Sequence, residues 1–170
     1  SQLLLNLDKA LHKKFNNKDK LFNPEPTSTF EPTKREPQSS TINTVPGLDV
    51  FYLDCRILPQ YTNEEVLQEV SRIVQEAEKK FNVKVKVEVV QHESHVPTDK
   101  KHPLVNLVVR SARDVYNNNP KPIGDGGSTV ASFLRDEGYP AVVFSRLFDM
   151  AHQPNEYSSI QNTLGDAKVF

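Results

Sequence analysis

Residues 62–89 read TNEEVLQEVSRIVQEAEKKFNVKVKVEV, and a helical pattern in this stretch gives way to a strand pattern. Thr62 and Glu65 have the spacing of a capping box, in which each side chain bonds the other residue's backbone amide. Apolar residues at steps of three and four then predict a helix from 62 to about 81: Val66, Leu67, Val70, Ile73, Val74 and Ala77. From Val83 to Val89, valine alternates with charged residues, which predicts a strand with one buried face.

Upstream of this stretch the sequence predicts a helix and two strands. Residues 3–15 carry the apolar stripe of an amphipathic helix, and we predict an irregular strand at residues 27–33 in a proline-rich segment. Residues 48–58 alternate apolar and polar side chains, the pattern of a half-buried strand. The order helix, strand, strand, helix, strand lacks only a leading strand to complete a βαββαβ, or ferredoxin-like, unit. We therefore expect a strand to precede Leu3.

The pattern changes near residue 95. Polar residues 92–103 contain two prolines and indicate a boundary, so we predict one domain at 1–95 and a second at 96–170. Both are expected to be incomplete.

The helices and strands predicted after this boundary alternate. They are a helix from Pro103 to Asn117, a glycine-rich loop at 124–128, a helix ending at Gly138, an apolar strand at 141–144 and a helix capped by Ser159. This alternation is typical of an α/β layer with a mostly parallel sheet.

Composition narrows the class of protein. The 170 residues are 36% hydrophobic and carry a net charge of −1. These values favour an ordinary globular protein and argue against binding to nucleic acid or to an anionic membrane surface. No apolar run approaches the roughly 20 residues of a membrane helix. The single cysteine, Cys55, cannot form an internal disulfide, so we expect the cytoplasm. The chain opens inside a helical pattern, and we expect it to be part of a longer protein.

His152 is the leading candidate for chemistry. It lies in the sequence AHQPNEY, residues 151–157, after a predicted strand and before a helix, where α/β proteins collect functional groups. Imidazole is the commonest metal ligand, and Glu156 could orient its second nitrogen. A catalytic zinc requires three protein ligands, however, and the neighbouring sequence does not supply them. A loop histidine bonded to backbone or water is the alternative.

The glycine-rich loop is a second candidate. Its glycines open a helix, so free backbone amides, with the hydroxyls of Ser128 and Thr129, could bind a carboxylate. It matches neither a dinucleotide nor a phosphate-loop motif, and a simple tight turn is the alternative.

The remaining candidates also have structural interpretations. Asp54 and Arg56 share the polar face of a strand, where they could pair with each other or with an anion. Asn43 could be a turn residue, and Cys55 falls on the apolar face as a core residue. Residues 91–95, with two histidines, are expected to be solvated surface.

Four motifs occur together in a familiar order: INTVPG at 42–47, DCR at 54–56, GGST at 126–129 and AHQPNEY at 151–157. With them the chain resembles the carboxy-terminal part of the dinuclear-zinc amidohydrolases. That family includes succinyl-diaminopimelate desuccinylase, acetylornithine deacetylase, aminoacylase and glutamate carboxypeptidase. The resemblance covers nearly the whole chain.

The resemblance implies an α/β fold with an α+β lid. The first domain would be a ferredoxin-like lid that lacks its first strand and forms a homodimer. The second would be the C-terminal part of an α/β catalytic domain.

The resemblance also implies roles for individual residues. His152 corresponds to the last zinc ligand of a site that holds two zinc ions, with cobalt or manganese as possible replacements. The positions that hold the substrate's carboxylate and amide match Asn43, Arg56, Gly126, Gly127, Ser128 and Thr129. The other ligands, the general-base glutamate and the lid histidine lie upstream of the matched part. The resemblance therefore implies no catalytic residue within this segment, and the segment alone is expected to be inactive.

The implied reaction is hydrolysis of the amide bond of an N-acyl amino acid or small peptide. A desuccinylase or deacetylase is the first interpretation, and a dipeptidase or aminoacylase is the second. Val130 and Ser132 stand where many relatives carry an acidic residue and the desuccinylases an arginine, which leaves the acyl group open. A non-catalytic module that dimerises or binds a metabolite, with an inert His152, is the alternative outside this class.

Overall fold

A computed structural model describes residues 2–22, 24–36, 39, 41–93, 96–148 and 150–170. The helices in these ranges are α1 (Gln2–Lys14), α2 (Asn63–Phe81), α3 (Pro103–Tyr116), α4 (Ala131–Asp136) and α5 (Ile160–Val169), and the strands are β1 (Thr29–Arg35) and β2 (Phe51–Arg56). None of these helices is both long and apolar enough to cross a membrane. The chain forms two compact units, one of Ser1–His95 with Gly124–Gly127, the other of Val96–Ile123 with Ser128–Phe170.

The core of the first unit lies between α1, α2 and the strands. Its buried members are Leu7, Leu11, Phe15, Phe30, Val66 and Ile73. Burying a side chain of this size contributes roughly 1.5–3 kcal/mol, so the apolar stripes of the two helices account for their packing. The helices predicted at 3–15 and 62–81 are confirmed.

The start of α2 has the predicted capping box. The Thr62 hydroxyl accepts from the Glu65 backbone N–H at 3.1 Å, and the Glu65 carboxylate accepts from the Thr62 N–H at 2.8 Å. At the other end Asn82 has a φ of 49°, the left-handed conformation that ends a helix.

Strands β1 and β2 pair in antiparallel orientation, with Phe30 opposite Cys55 and Thr29 opposite Arg56. The register shifts between Pro32 and Lys34, because proline has no N–H to donate to the ladder. An irregular first strand was predicted at 27–33, and β1 begins and ends two residues later.

A buried carboxylate links α1 to α2. Glu69 accepts hydrogen bonds from Arg72 and from Lys14, whose Nζ lies 2.7 Å from Oε2. The Arg72 bonds, followed by those of Lys14, lower the pKa of Glu69 to about 2 against the opposing effect of burial. Glu69 is therefore ionised and paired at neutral pH.

The strand predicted at Val83–Val89 is wrong. No residue in the described stretch 83–93 belongs to a strand, and Val83, Val87 and Val89 are exposed. A strand requires a hydrogen-bonded neighbour, and the described part of the chain places none beside this segment. The strand expected before Leu3 stays a prediction.

In the second unit α3 packs against α5. Val105 and Ala112 of α3 are buried, as are Gly165 and Val169 of α5. The predicted helix starts are confirmed: Pro103 is the first residue of α3, and the Ser159 hydroxyl caps α5. The strand predicted at 141–144 is wrong, because the described residues provide no ladder partner, and Val143 is exposed.

Candidate functional site

His152 lies on an exposed loop that leads into α5. Its φ of 61° is left-handed, as is the φ of 63° at Asn155. The backbone N–H of His152 donates to Glu156 Oε2 at 3.1 Å. The expectation that Glu156 orients the imidazole is therefore not met: its carboxylate holds the main chain of the loop instead.

The surroundings of His152 fit one ligand of a zinc site. Its imidazole is exposed and is the donor type that zinc prefers. Across the described ranges, however, no group of three or more histidine, cysteine, aspartate or glutamate side chains could hold a metal ion. The described residues therefore do not supply the three donors that a catalytic zinc needs.

Arg56 and the glycine loop meet in the first unit. Arg56 ends β2, and a Cβ on Gly126 would lie 3.4 Å from Arg56 Cδ. The loop is anchored upstream, because Gly124 N–H donates to the Leu21 carbonyl at 2.8 Å. A Cβ at Gly124 would lie only 2.6 Å from atoms of the Phe22 ring, so this approach requires glycine.

Asp54 orients Arg56 through a hydrogen bond to one nitrogen of its guanidinium group. Arg56 Nε donates to Asp54 Oδ2 at 3.2 Å, and both side chains are about half exposed. Such a pair contributes roughly 0–1 kcal/mol. Within the described residues Asp54 bonds only Nε, so the terminal amino groups of Arg56 can bind a carboxylate.

Other parts of the predicted site make different contacts. Gly127 N–H donates to Asp125 Oδ1 at 2.5 Å, and Ala131 N–H donates to Thr129 Oγ1 at 3.3 Å. These groups are therefore less available to a ligand than the sequence led us to expect. Thr129 and Ser128 belong to the second unit.

Asn43 lies on the exposed loop that joins β1 to β2. Thr41 and Thr44 join hydroxyl groups across this turn at 2.6 Å, while Ile42 and Val45 are more than nine-tenths exposed. Among the described residues no contact connects Asn43 with Arg56 or with the glycine loop. Its substrate-binding role stays a prediction.

The surroundings of Cys55 and of the other described histidines indicate structural and not chemical roles. Burial, followed by the charge of Asp54, raises the pKa of Cys55 to about 11, which does not suit a nucleophile. His102 caps α3, His12 bonds Asp8, and His92 contacts Asn63. His95 lies outside the described residues.

Two polar residues of α5 were not predicted from the sequence. Asp166 accepts hydrogen bonds from Arg146 N–H, the Ser145 hydroxyl and the Tyr116 hydroxyl, and Asn162 donates to the Arg146 carbonyl. Their only sequence signal is the spacing of four residues, which places both on one helix face.

Comparisons with known proteins identify the family. Residues 9–170 match the model of peptidase family M20/M25/M40. The chain belongs to this family. An uncharacterized metallohydrolase of Methanocaldococcus jannaschii is 35% identical over 170 residues, which are 95% of this chain and 41% of that protein. An uncharacterized metallohydrolase of Methanococcus maripaludis is 34% identical over 173 residues, with 94% and 41% covered.

A solved structure shows the same fold. The M20 family metallo-carboxypeptidase from Sulfolobus solfataricus superposes with a TM-score of 0.61 over 99% of this chain and 42% of that chain, at 20% identity. The predicted α/β class and the family resemblance are confirmed. The present 170-residue chain spans about two fifths of the length of these relatives.

Proposed function

We propose that this chain provides one metal ligand and the carboxylate-binding arginine of a metal-dependent hydrolase. The reaction is cleavage of the amide bond of an N-acyl amino acid or small peptide. The observation that carries the proposal is the packing of Arg56 against Gly126, because it unites two of the motifs on which the resemblance rests. Membership of the M20 family supports the hydrolytic chemistry.

Arg56 binds the carboxylate next to the scissile amide. Its guanidinium presents two parallel N–H donors to a carboxylate, and such charge-assisted pairs are about twice as strong as neutral hydrogen bonds. Asp54 holds Nε and so limits the rotamers of the long side chain before substrate arrives. Gly126 leaves room beside the arginine stem.

His152 binds one of two zinc ions through its imidazole, and cobalt or manganese can replace zinc. The other ligands come from polypeptide outside the described residues, since no cluster of three donors is present within them. A bound zinc ion supplies Lewis acidity and a more acidic water. The loop bond from His152 N–H to Glu156 holds the backbone that carries the imidazole.

The substrate carries a free carboxylate beside its amide. N-succinyl-diaminopimelate and N-acetylornithine satisfy this requirement and are the first candidates. Dipeptides and other N-acyl amino acids are the alternatives, and the Sulfolobus solfataricus neighbour, a metallo-carboxypeptidase, supports a peptide substrate. A second copy of the chain, docked through the first unit, is the proposed partner, and the single cysteine favours the cytoplasm.

Kinetics of the complete gene product test the proposal. With zinc present, N-acetyl and N-succinyl amino acids and dipeptides are compared with the same compounds carrying a carboxamide in place of the carboxylate. Arg56→Ala is expected to raise KM for the carboxylates by about 10- to 100-fold, since a charged hydrogen bond contributes about 1.5–3 kcal/mol.

Arg35→Ala is the matched control, because Arg35 lies on β1, pairs with Asp49 and is similarly exposed. It should change KM less than twofold. Equal KM values for Arg56→Ala and the parent protein, or no preference for carboxylates over carboxamides, would overturn the assignment.

A further inference from the structure

Both ends of the loop that carries His152 are hydrogen-bonded to α5. At its start, the Arg146 N–H donates to the Asp166 carboxylate at 3.1 Å, and the Arg146 carbonyl accepts from Asn162 Nδ2 at 3.0 Å. At its end, the Ser159 hydroxyl caps α5 by accepting from the Asn162 N–H at 3.4 Å. Arg146 before the loop and Ser159 after it are therefore both hydrogen-bonded to the first two turns of one helix.

Contacts within the loop close it further. The rings of Phe148 and Tyr157 lie 5.2 Å apart between centroids, across the base of the loop. Gln153 N–H donates to the Met150 carbonyl, and the Glu156 N–H donates to the Gln153 carbonyl. With the bond from His152 N–H to Glu156, these contacts connect the backbone of His152 to the anchored ends.

Asp166 is the centre of the anchor. Besides the Arg146 N–H, its carboxylate accepts from the Ser145 hydroxyl at 2.9 Å and from the Tyr116 hydroxyl at 2.5 Å. Tyr116 reaches α5 beside Gly165, where a Cβ would lie 2.6 Å from Tyr116 Cζ. A glycine inside a helix costs about 1 kcal/mol relative to alanine, and here it admits the tyrosine that completes the anchor.

We propose that Asp166 and Asn162 are positioning residues for His152. This inference rests on the proposed function, in which His152 binds the metal. Within the described residues neither side chain has a hydrogen bond to the imidazole. They act by holding the backbone N–H and the backbone carbonyl of Arg146, which limits the conformations of the loop before the metal arrives. Loss of an outer partner of a metal ligand typically weakens metal affinity by 10- to 100-fold, and a similar loss is expected here.

Zinc affinity of the complete gene product tests this inference. Zinc is titrated against a chromophoric chelator for the parent protein, Asn162→Ala, Asp166→Ala and Gln161→Ala. Gln161 is the control because it lies on α5 with an exposed side chain. Asn162→Ala and Asp166→Ala should raise the zinc Kd of the weaker-held ion at least tenfold, whereas Gln161→Ala should not change it.

Thermal unfolding and a conservative variant separate positioning from general stability. Asn162→Ala removes one exposed hydrogen bond, and its melting temperature should equal that of Gln161→Ala. Asp166→Asn retains an acceptor for the Arg146 N–H and should recover part of the affinity lost in Asp166→Ala. Affinity that falls only in proportion to the melting temperature would overturn the inference.

His152→Ala distinguishes the two hypotheses. If it loses zinc while Asn162→Ala and Asp166→Ala bind zinc as tightly as the parent protein, the positioning role is wrong and the proposed function stands. If His152→Ala keeps its full zinc content, the proposed function fails, and the positioning role fails with it.

Discussion

Arg56 and Gly126, which are distant in the sequence, are in van der Waals range: a Cβ on Gly126 would lie 3.4 Å from Arg56 Cδ. The contact places a guanidinium with accessible N–H groups beside a loop that is anchored to the same unit. A side chain at position 126 would occupy the space beside the Arg56 stem.

Gly126→Val should therefore weaken substrate binding. The branched side chain would displace the Arg56 stem, and we expect KM to rise several-fold with a smaller change in kcat. Steady-state kinetics of the complete gene product measure both constants. Gly47→Val is the control, since a Cβ at Gly47 meets no atom within 4 Å. An unchanged KM for Gly126→Val would show that Arg56 does not need this space.

The ion pairs of Glu69 should make stability fall in acid. Hydrogen bonds from Arg72, then Lys14, lower its pKa from 4.5 to about 2 in the folded protein. The ionised carboxylate therefore stabilises the fold above pH 4.5, and this contribution is lost as the pH falls from 4.5 towards 2. Urea unfolding at pH 7, 4 and 3 measures the loss.

Two variants isolate this effect. Glu69→Gln should lower the free energy of unfolding at pH 7 by about 1–3 kcal/mol and flatten its dependence on pH below 4.5. Glu76→Gln, which removes a more exposed partner of the same Arg72, should keep most of that dependence. A Glu69→Gln variant with the parent protein's pH profile would contradict the assignment.

The 170-residue chain by itself should self-associate. Its second unit exposes Val143, Phe133, Ile160, Leu164 and Phe170, and an exposed apolar surface of this kind favours association. Sedimentation velocity over a range of concentrations should show species larger than the monomer, and Val143→Lys should reduce them. A single monomeric species throughout would refute this expectation.

Local signals predicted the fold well where the stabilising partners are close in sequence. The Thr62 and Glu65 capping box, the Pro103 start of α3 and the Ser159 cap each depend on groups within three residues. Strands at 83–89 and 141–144 were wrong because alternation indicates which face is apolar but not which strand lies alongside.

The site was predictable only in part for the same reason. The sequence singled out Arg56 and His152, but it did not reveal that Glu156 bonds a backbone N–H instead of the imidazole. Asp166 and Asn162 were missed because both bond the backbone of Arg146, which is separated from them in sequence by the entire loop. Contacts of this kind depend on how the loop closes.

The zinc content of His152→Ala tests the central claim most directly. Elemental analysis of the complete gene product and of this variant, both purified in excess zinc and freed of unbound metal, gives the ions held per protomer. We expect the variant to lose about one equivalent of zinc and nearly all amidohydrolase turnover. Full zinc content and undiminished turnover in the variant would contradict this expectation.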